Sequence, residues 1–142
     1  MLPLETGVVM FRSKTILIAD GSTYAALDLA AAFEGHDGRV AGPVETLSEA
    51  MDILATGDVA GAIVDCELAE ATALVLRLSE SGVPLVVQTS VPLPPALEEL
   101  DGRLSVLMRP VDPRTVIGAL ASEIGKVAPQ IANRLGSAAK QV

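Results

Sequence analysis

From Thr15 onward, short apolar runs alternate with longer stretches in which apolar positions recur every three or four residues. Short continuous runs fit strands buried on both faces and the longer periodic stretches fit helices. The alternation therefore predicts βαβ units around a parallel sheet, in five rounds. The first strand is TILIA, Thr15 to Ala19, made of β-branched and apolar residues. It ends on Asp20-Gly21-Ser22-Thr23, a cluster suited to turning the chain and capping a helix. The alanine-rich TYAALDLAAAF then predicts a first helix over Ser22 to Glu34, stopped at Gly35.

The second strand, RVAGPV (Arg39 to Val44), contains Gly42-Pro43, which places it at a sheet edge or ends it early. Thr46 and Glu49 have the spacing of a capping box, so a second helix starts there and runs to about Thr56, ending at Gly57. VAGAIVD (Val59 to Asp65) is strand three and finishes on a carboxylate. Helix three covers Glu70 to Glu80 and closes at Ser81-Gly82, and PLVVQ leads strand four to Thr89. The connection SVPLPPALEELDG carries three prolines, so helix four is short, about Pro95 to Leu100. RLSVLM is strand five. Asp112-Pro113 is an N-cap followed by proline at the first helical position, which starts helix five over about Pro113 to Lys126.

The chain has 142 residues, half of them apolar, which suits one domain with a single core. Eighteen acidic against ten basic residues give a net charge of −8, which argues against an electrostatic grip on nucleic acid or anionic lipid. The single cysteine, Cys66, excludes an intramolecular disulfide and fits a reducing, cytoplasmic setting. MLPLETGVVMF lacks a basic leader, and the most apolar later stretch is cut by Pro84, Pro92, Pro94 and Pro95. Neither a signal peptide nor a membrane span is expected.

In a parallel α/β sheet, functional residues gather at the carboxyl ends of the strands, beside the point where strand order reverses. Strand one ends at Asp20, strand three at Asp65, strand four at Thr89 and strand five at Arg109. Two carboxylates, a hydroxyl and a cation on one rim make a site for a phosphoryl group. A carboxylate serves as nucleophile, Mg²⁺ takes one or two carboxylates plus waters, and hydroxyl and cation hold phosphoryl oxygens. Read singly, each residue has a plainer role: Asp20 as a turn and capping residue, Thr89 as a common strand residue, Arg109 as a surface cation.

Taken in order, these residues resemble the receiver domain of two-component response regulators, over about Lys14 to Lys126. AIVD supplies the phosphoacceptor aspartate as Asp65, VVQT the hydroxyl as Thr89, and MRP stands at the family's Lys-Pro position, where the peptide bond is cis. LDLA, GPV and the DP helix start look like the branch that works with atypical sensor kinases. The resemblance implies an α/β, flavodoxin-like, doubly wound five-stranded parallel sheet in the order 2-1-3-4-5, with helices on both faces. It divides the chain into an N-terminal extension over 1–13, a receiver domain over 14–126 and a C-terminal tail or helix extension over 127–142. It also implies a non-enzymatic relay in the cytoplasm. A histidine kinase or phosphotransfer protein would supply the signal, and a protein partner or homodimerisation through helix four, strand five and helix five would take the output. No DNA-binding module is expected, because sixteen residues after Lys126 are too few for one.

This sequence departs from the family at three places. Where the family carries a pair of acidic residues after strand one, ILIADGST offers Asp20 alone, so Mg²⁺ binding by Asp20 and Asp65 is expected to be weakened, with Glu67 restoring part of the charge. Arg109 replaces lysine, putting a planar fork in place of a compact ammonium. Val106 stands where the family has an aromatic switch residue. These departures raise an alternative: a pseudo-receiver that is never phosphorylated and acts as a scaffold or dimerisation unit. A flavodoxin-like enzyme or nucleotide binder is disfavoured, since no strand is followed by a glycine-rich phosphate loop. Cys66 reads as a small buried hydrophobe, His36 as a solvated turn residue, and VPLPP as a replacement for a normal helix four.

Overall fold

The computed structural model describes residues 11–100 and 104–126. Five strands, β1 (Thr15–Ala19), β2 (Arg39–Val44), β3 (Val59–Asp65), β4 (Leu85–Thr89) and β5 (Ser105–Met108), alternate with five helices. The helices are α1 (Thr23–Glu34), α2 (Leu47–Leu54), α3 (Ala71–Glu80), α4 (Pro95–Glu98) and α5 (residues 113–126). All strand pairs are parallel and the order is β2-β1-β3-β4-β5, the flavodoxin-like arrangement. No helix among the described residues is long and apolar enough to cross a membrane.

The strict period of two along β1 sends its side chains to opposite faces. Leu17 and Ala19 join a core with Ala50 of α2, Leu74 and Leu78 of α3 and Leu97 of α4. Ile16 and Ile18 face the other way, onto Leu29 and Phe33 of α1 and Val116 and Leu120 of α5. Two cores thus sandwich one sheet, which is why the central strands read as unbroken apolar runs rather than as alternation. Phe11 is fully buried in the α1/α5 core, its ring edge-on to Phe33 at 5.2 Å. This core therefore begins before Lys14; the rest of the expected extension, 1–10, and the expected tail, 127–142, lie outside the described residues.

Local signals placed the elements. Thr46 accepts a 3.1 Å bond from the Glu49 amide at the α2 start, and the Glu49 carboxylate accepts from the Thr46 hydroxyl and the Glu45 amide. Asp112 accepts from the Arg114 amide at 2.8 Å, capping α5 ahead of Pro113. Helix α4 spans four residues, as its prolines require.

β2 is an edge strand, and it keeps Gly42-Pro43 inside a bulge. Leu17 pairs Ala41 while Ala19 pairs Val44, so β2 carries one extra residue there. Gly42 has φ +107°, and a Cβ on it would stand 2.6 Å from the Ile18 carbonyl oxygen, so only glycine fits. Beyond the bulge the Val44 carbonyl accepts a 3.0 Å bond from the Asp20 amide, which fixes where β1 delivers its terminal carboxylate.

Candidate functional site

Four strand ends meet at one rim, and Arg109 connects them. Its backbone N–H donates to the Thr89 carbonyl at 2.8 Å, which holds the residue just past β5; its bond to Pro110 is cis. The guanidinium then turns inward. Nη1 donates to Asp65 Oδ1 at 2.9 Å, and Nη2 donates to Asp20 Oδ2 at 2.9 Å and to Gln88 Oε1 at 3.0 Å. Nη1 also lies 3.5 Å from Glu67 Oε2. One planar group thus ties β1, β3 and β4 to β5, with a different nitrogen for each carboxylate of the buried pair, a division an ammonium does not offer.

The carboxylates are held from behind as well. Asp20 Oδ1 accepts from the Ser22 amide at 2.7 Å, so this side chain both shapes the β1–α1 turn and joins the rim. Asp65 Oδ1 accepts from the Glu67 amide at 2.9 Å, and Glu67 Oε2 accepts from the Ser90 amide at 3.2 Å. Asp20 is 4 % exposed and Asp65 7 %, whereas the Arg109 side chain keeps 21 %. Burial raises the Asp20 carboxyl above its ordinary range and outweighs the Ser22 bond and the Arg109 charge, both of which pull it down.

Asp20, Asp65 and Glu67, the expected Mg²⁺ ligands, do converge on a cation, but that cation is the guanidinium. Among the described residues no three His, Cys, Asp or Glu side chains form a group that could hold a metal ion. Two of the three expected ligands already give an oxygen each to Arg109, so a divalent ion at this rim would have to compete with the guanidinium for them.

Thr89 is buried at the end of β4, beside the site. Its hydroxyl donates to the Val91 carbonyl at 2.7 Å and accepts from the Val91 amide at 3.1 Å, closing its own loop. Val106 is half-buried and packs against the α2–α3–α4 core. Cys66 is half-buried at the margin of the same core, and burial, then the charges of Asp65 and Glu67, push its thiol pKa up. His36 departs from expectation. It is half-buried rather than solvated, its ring 6.4 Å from that of Phe11, and its Nδ1 is buried without a hydrogen-bond partner.

Gln88 escaped the sequence reading although it completes the guanidinium's contacts. Its signal was there: a long amide inside the apolar run LVVQT is out of place unless it has a partner. Beside Arg109 a cleft of about 480 Å³ opens between α1 and the β5–α5 connection, lined by Ala25, Asp28, Leu29, Gln88, Pro110 and Val116 among others.

No protein-family model matches the sequence, and no curated protein matches it. Solved structures do. The signal receiver domain of a modulated diguanylate cyclase from Desulfovibrio desulfuricans G20 superposes with a TM-score of 0.73 at 20% identity, covering 83% of this chain and 98% of that one. A CheY-like response regulator receiver domain from Methanospirillum hungatei JF-1 gives a TM-score of 0.72 at 18% identity, over 83% and 98%. A response regulator receiver protein from Sinorhizobium medicae WSM419 gives 0.66 at 20%, over 80% and 95%. The chain has the receiver-domain fold.

Proposed function

We propose that this protein is a receiver-type signalling module that works by protein contact without accepting a phosphoryl group, its rim held in one state by Arg109. The observation that carries this reading is the double ion pair of Arg109 with Asp20 and Asp65, both carboxylates being nearly inaccessible to solvent. Incoming phosphate would have to displace a fully formed charge-assisted pair and leave a buried carboxylate uncompensated, which is costly. The Thr89 hydroxyl already donates to the Val91 carbonyl, a bond it would give up to reach a phosphoryl oxygen. With valine at 106, no aromatic ring is available there to report a change at the rim.

A signal carried by contact needs a protein partner, and the acidic, −8 chain is unsuited to nucleic acid. Met108, at the end of β5, is 58 % exposed and Val91, just past β4, is 48 % exposed, two apolar side chains open to a partner there.

A second reading keeps Asp65 as a phosphoacceptor, served by a histidine kinase or phosphotransfer protein. It is favoured by Asp65 Oδ2, to which no hydrogen bond is made among the described residues. Intact-mass measurement after incubation with Mg²⁺ and acetyl phosphate separates the two. The proposed function predicts an unchanged mass. A gain of one phosphoryl group that disappears in Asp65→Asn would establish the second reading instead.

A further inference from the structure

Resting on the reading of a closed rim, we propose that Arg109 is a built-in cation that substitutes for a divalent metal ion, so that the wild-type protein takes up no Mg²⁺ or Mn²⁺ at Asp20 and Asp65. Two carboxylates, 4 % and 7 % exposed, cannot both be ionised in a buried rim without a positive charge between them. The guanidinium meets that need permanently, since it does not deprotonate in proteins. Its contacts are those of a bridging ion: Asp65 Oδ1 and Asp20 Oδ2 each at 2.9 Å, with Glu67 Oε2 at 3.5 Å. Unlike a metal ion, it is tethered. Its backbone is bonded to Thr89 and its Nη2 is steadied by Gln88, so it stays within reach of the carboxylates and resists replacement by solvent ions.

A Mg²⁺ ion at the same oxygens would have to expel the guanidinium into solvent and break its three short hydrogen bonds. It would find one acidic residue fewer than the usual pair after β1, because Gly21 follows Asp20. The tethered charge wins because it loses no translational freedom on binding, whereas a free ion does. Lysine at 109 would keep the charge but offer one nitrogen in place of the two that Arg109 assigns to Asp65 and Asp20.

The test is a Mn²⁺ titration of the full chain followed by paramagnetic broadening of amide signals, with thermal unfolding in parallel. Wild type is expected to show no selective broadening around Asp20 and Asp65 at millimolar Mn²⁺ and no Mg²⁺-dependent rise in melting temperature. Arg109→Gln is expected to bind Mn²⁺ at this rim about tenfold or more tightly than wild type, a difference read directly from the two titrations. Should Arg109→Gln fail to fold by itself, refolding on addition of Mn²⁺ supports the inference, and Arg109→Lys provides a folded variant with a smaller expected gain. Selective broadening at Asp20 and Asp65 in wild type would overturn it. So would folded Arg109 variants that bind Mn²⁺ no better than wild type. A wild type that takes up phosphate but no Mn²⁺ would refute the proposed function while leaving this inference standing; one that binds Mn²⁺ without gaining mass would do the reverse.

Discussion

Arg109 and Asp65, 44 positions apart in sequence, meet through a 2.9 Å bond between Nη1 and Oδ1, at the ends of two strands separated by β4. The sheet order makes the meeting possible: β3 and β5 flank β4, whose Gln88 completes the guanidinium's contacts. The pair is short, largely removed from water and reinforced by Asp20, so it exceeds the weak surface ion pair of Arg114 with Asp112 at 3.5 Å.

Asp20 makes stability depend on pH in a specific direction. Burial raises its folded pKa above the unfolded one, so the protonated form is favoured by folding. Its contribution is present below the unfolded pKa and lost as pH rises through the folded one. Asp20→Asn removes that titration. The stability of wild type relative to Asp20→Asn is therefore expected to fall as pH is raised through this window, measured by urea unfolding at a series of pH values. A difference that stays flat, or grows with pH, would contradict the burial argument.

Cys66 is expected to be a slow nucleophile. Burial raises its thiol pKa and the neighbouring charges of Asp65 and Glu67 raise it further, so the thiolate is scarce at neutral pH. Alkylation by iodoacetamide near pH 8 is expected to run several-fold slower than in the urea-unfolded chain. Equal rates in folded and unfolded protein would show the thiol to be open.

Gly42 holds the bulge that positions Val44 under the Asp20 amide. Alanine there would meet the Ile18 carbonyl oxygen at 2.6 Å in a φ of +107°. Gly42→Ala is expected to lower stability by about 2 kcal/mol or more, seen as a lower urea midpoint with an unchanged slope. A neutral effect would mean that the edge strand relaxes freely around this point.

The fold was legible because its signals were local and redundant. Apolar runs ended on turn residues, Thr46 and Glu49 carried a capping box, and Asp112-Pro113 announced α5. The rim residues Asp20, Asp65, Thr89 and Arg109 could be placed at strand ends from the same pattern. What they do to one another could not. Whether Arg109 reaches Asp20, Asp65 or solvent depends on side-chain packing across four strands, and the Thr89 hydroxyl had an equally local partner in Val91. His36 was misjudged because its half-burial depends on Phe11, a residue assigned to an extension outside the domain. The bulge at Gly42 was missed because a Gly-Pro pair signals an irregular edge without saying whether the strand stops or continues.

A double-mutant cycle between Arg109 and Asp65 tests the central claim most directly. Urea unfolding of wild type, Arg109→Gln, Asp65→Asn and the double variant yields the coupling between the two side chains without assuming what either contributes alone. The account predicts a favourable coupling of about 2 kcal/mol, with Arg109→Gln the more damaging single change because it strands two buried carboxylates. A coupling within about 0.5 kcal/mol of zero, the range expected for independent sites, would mean that the guanidinium does not hold the rim.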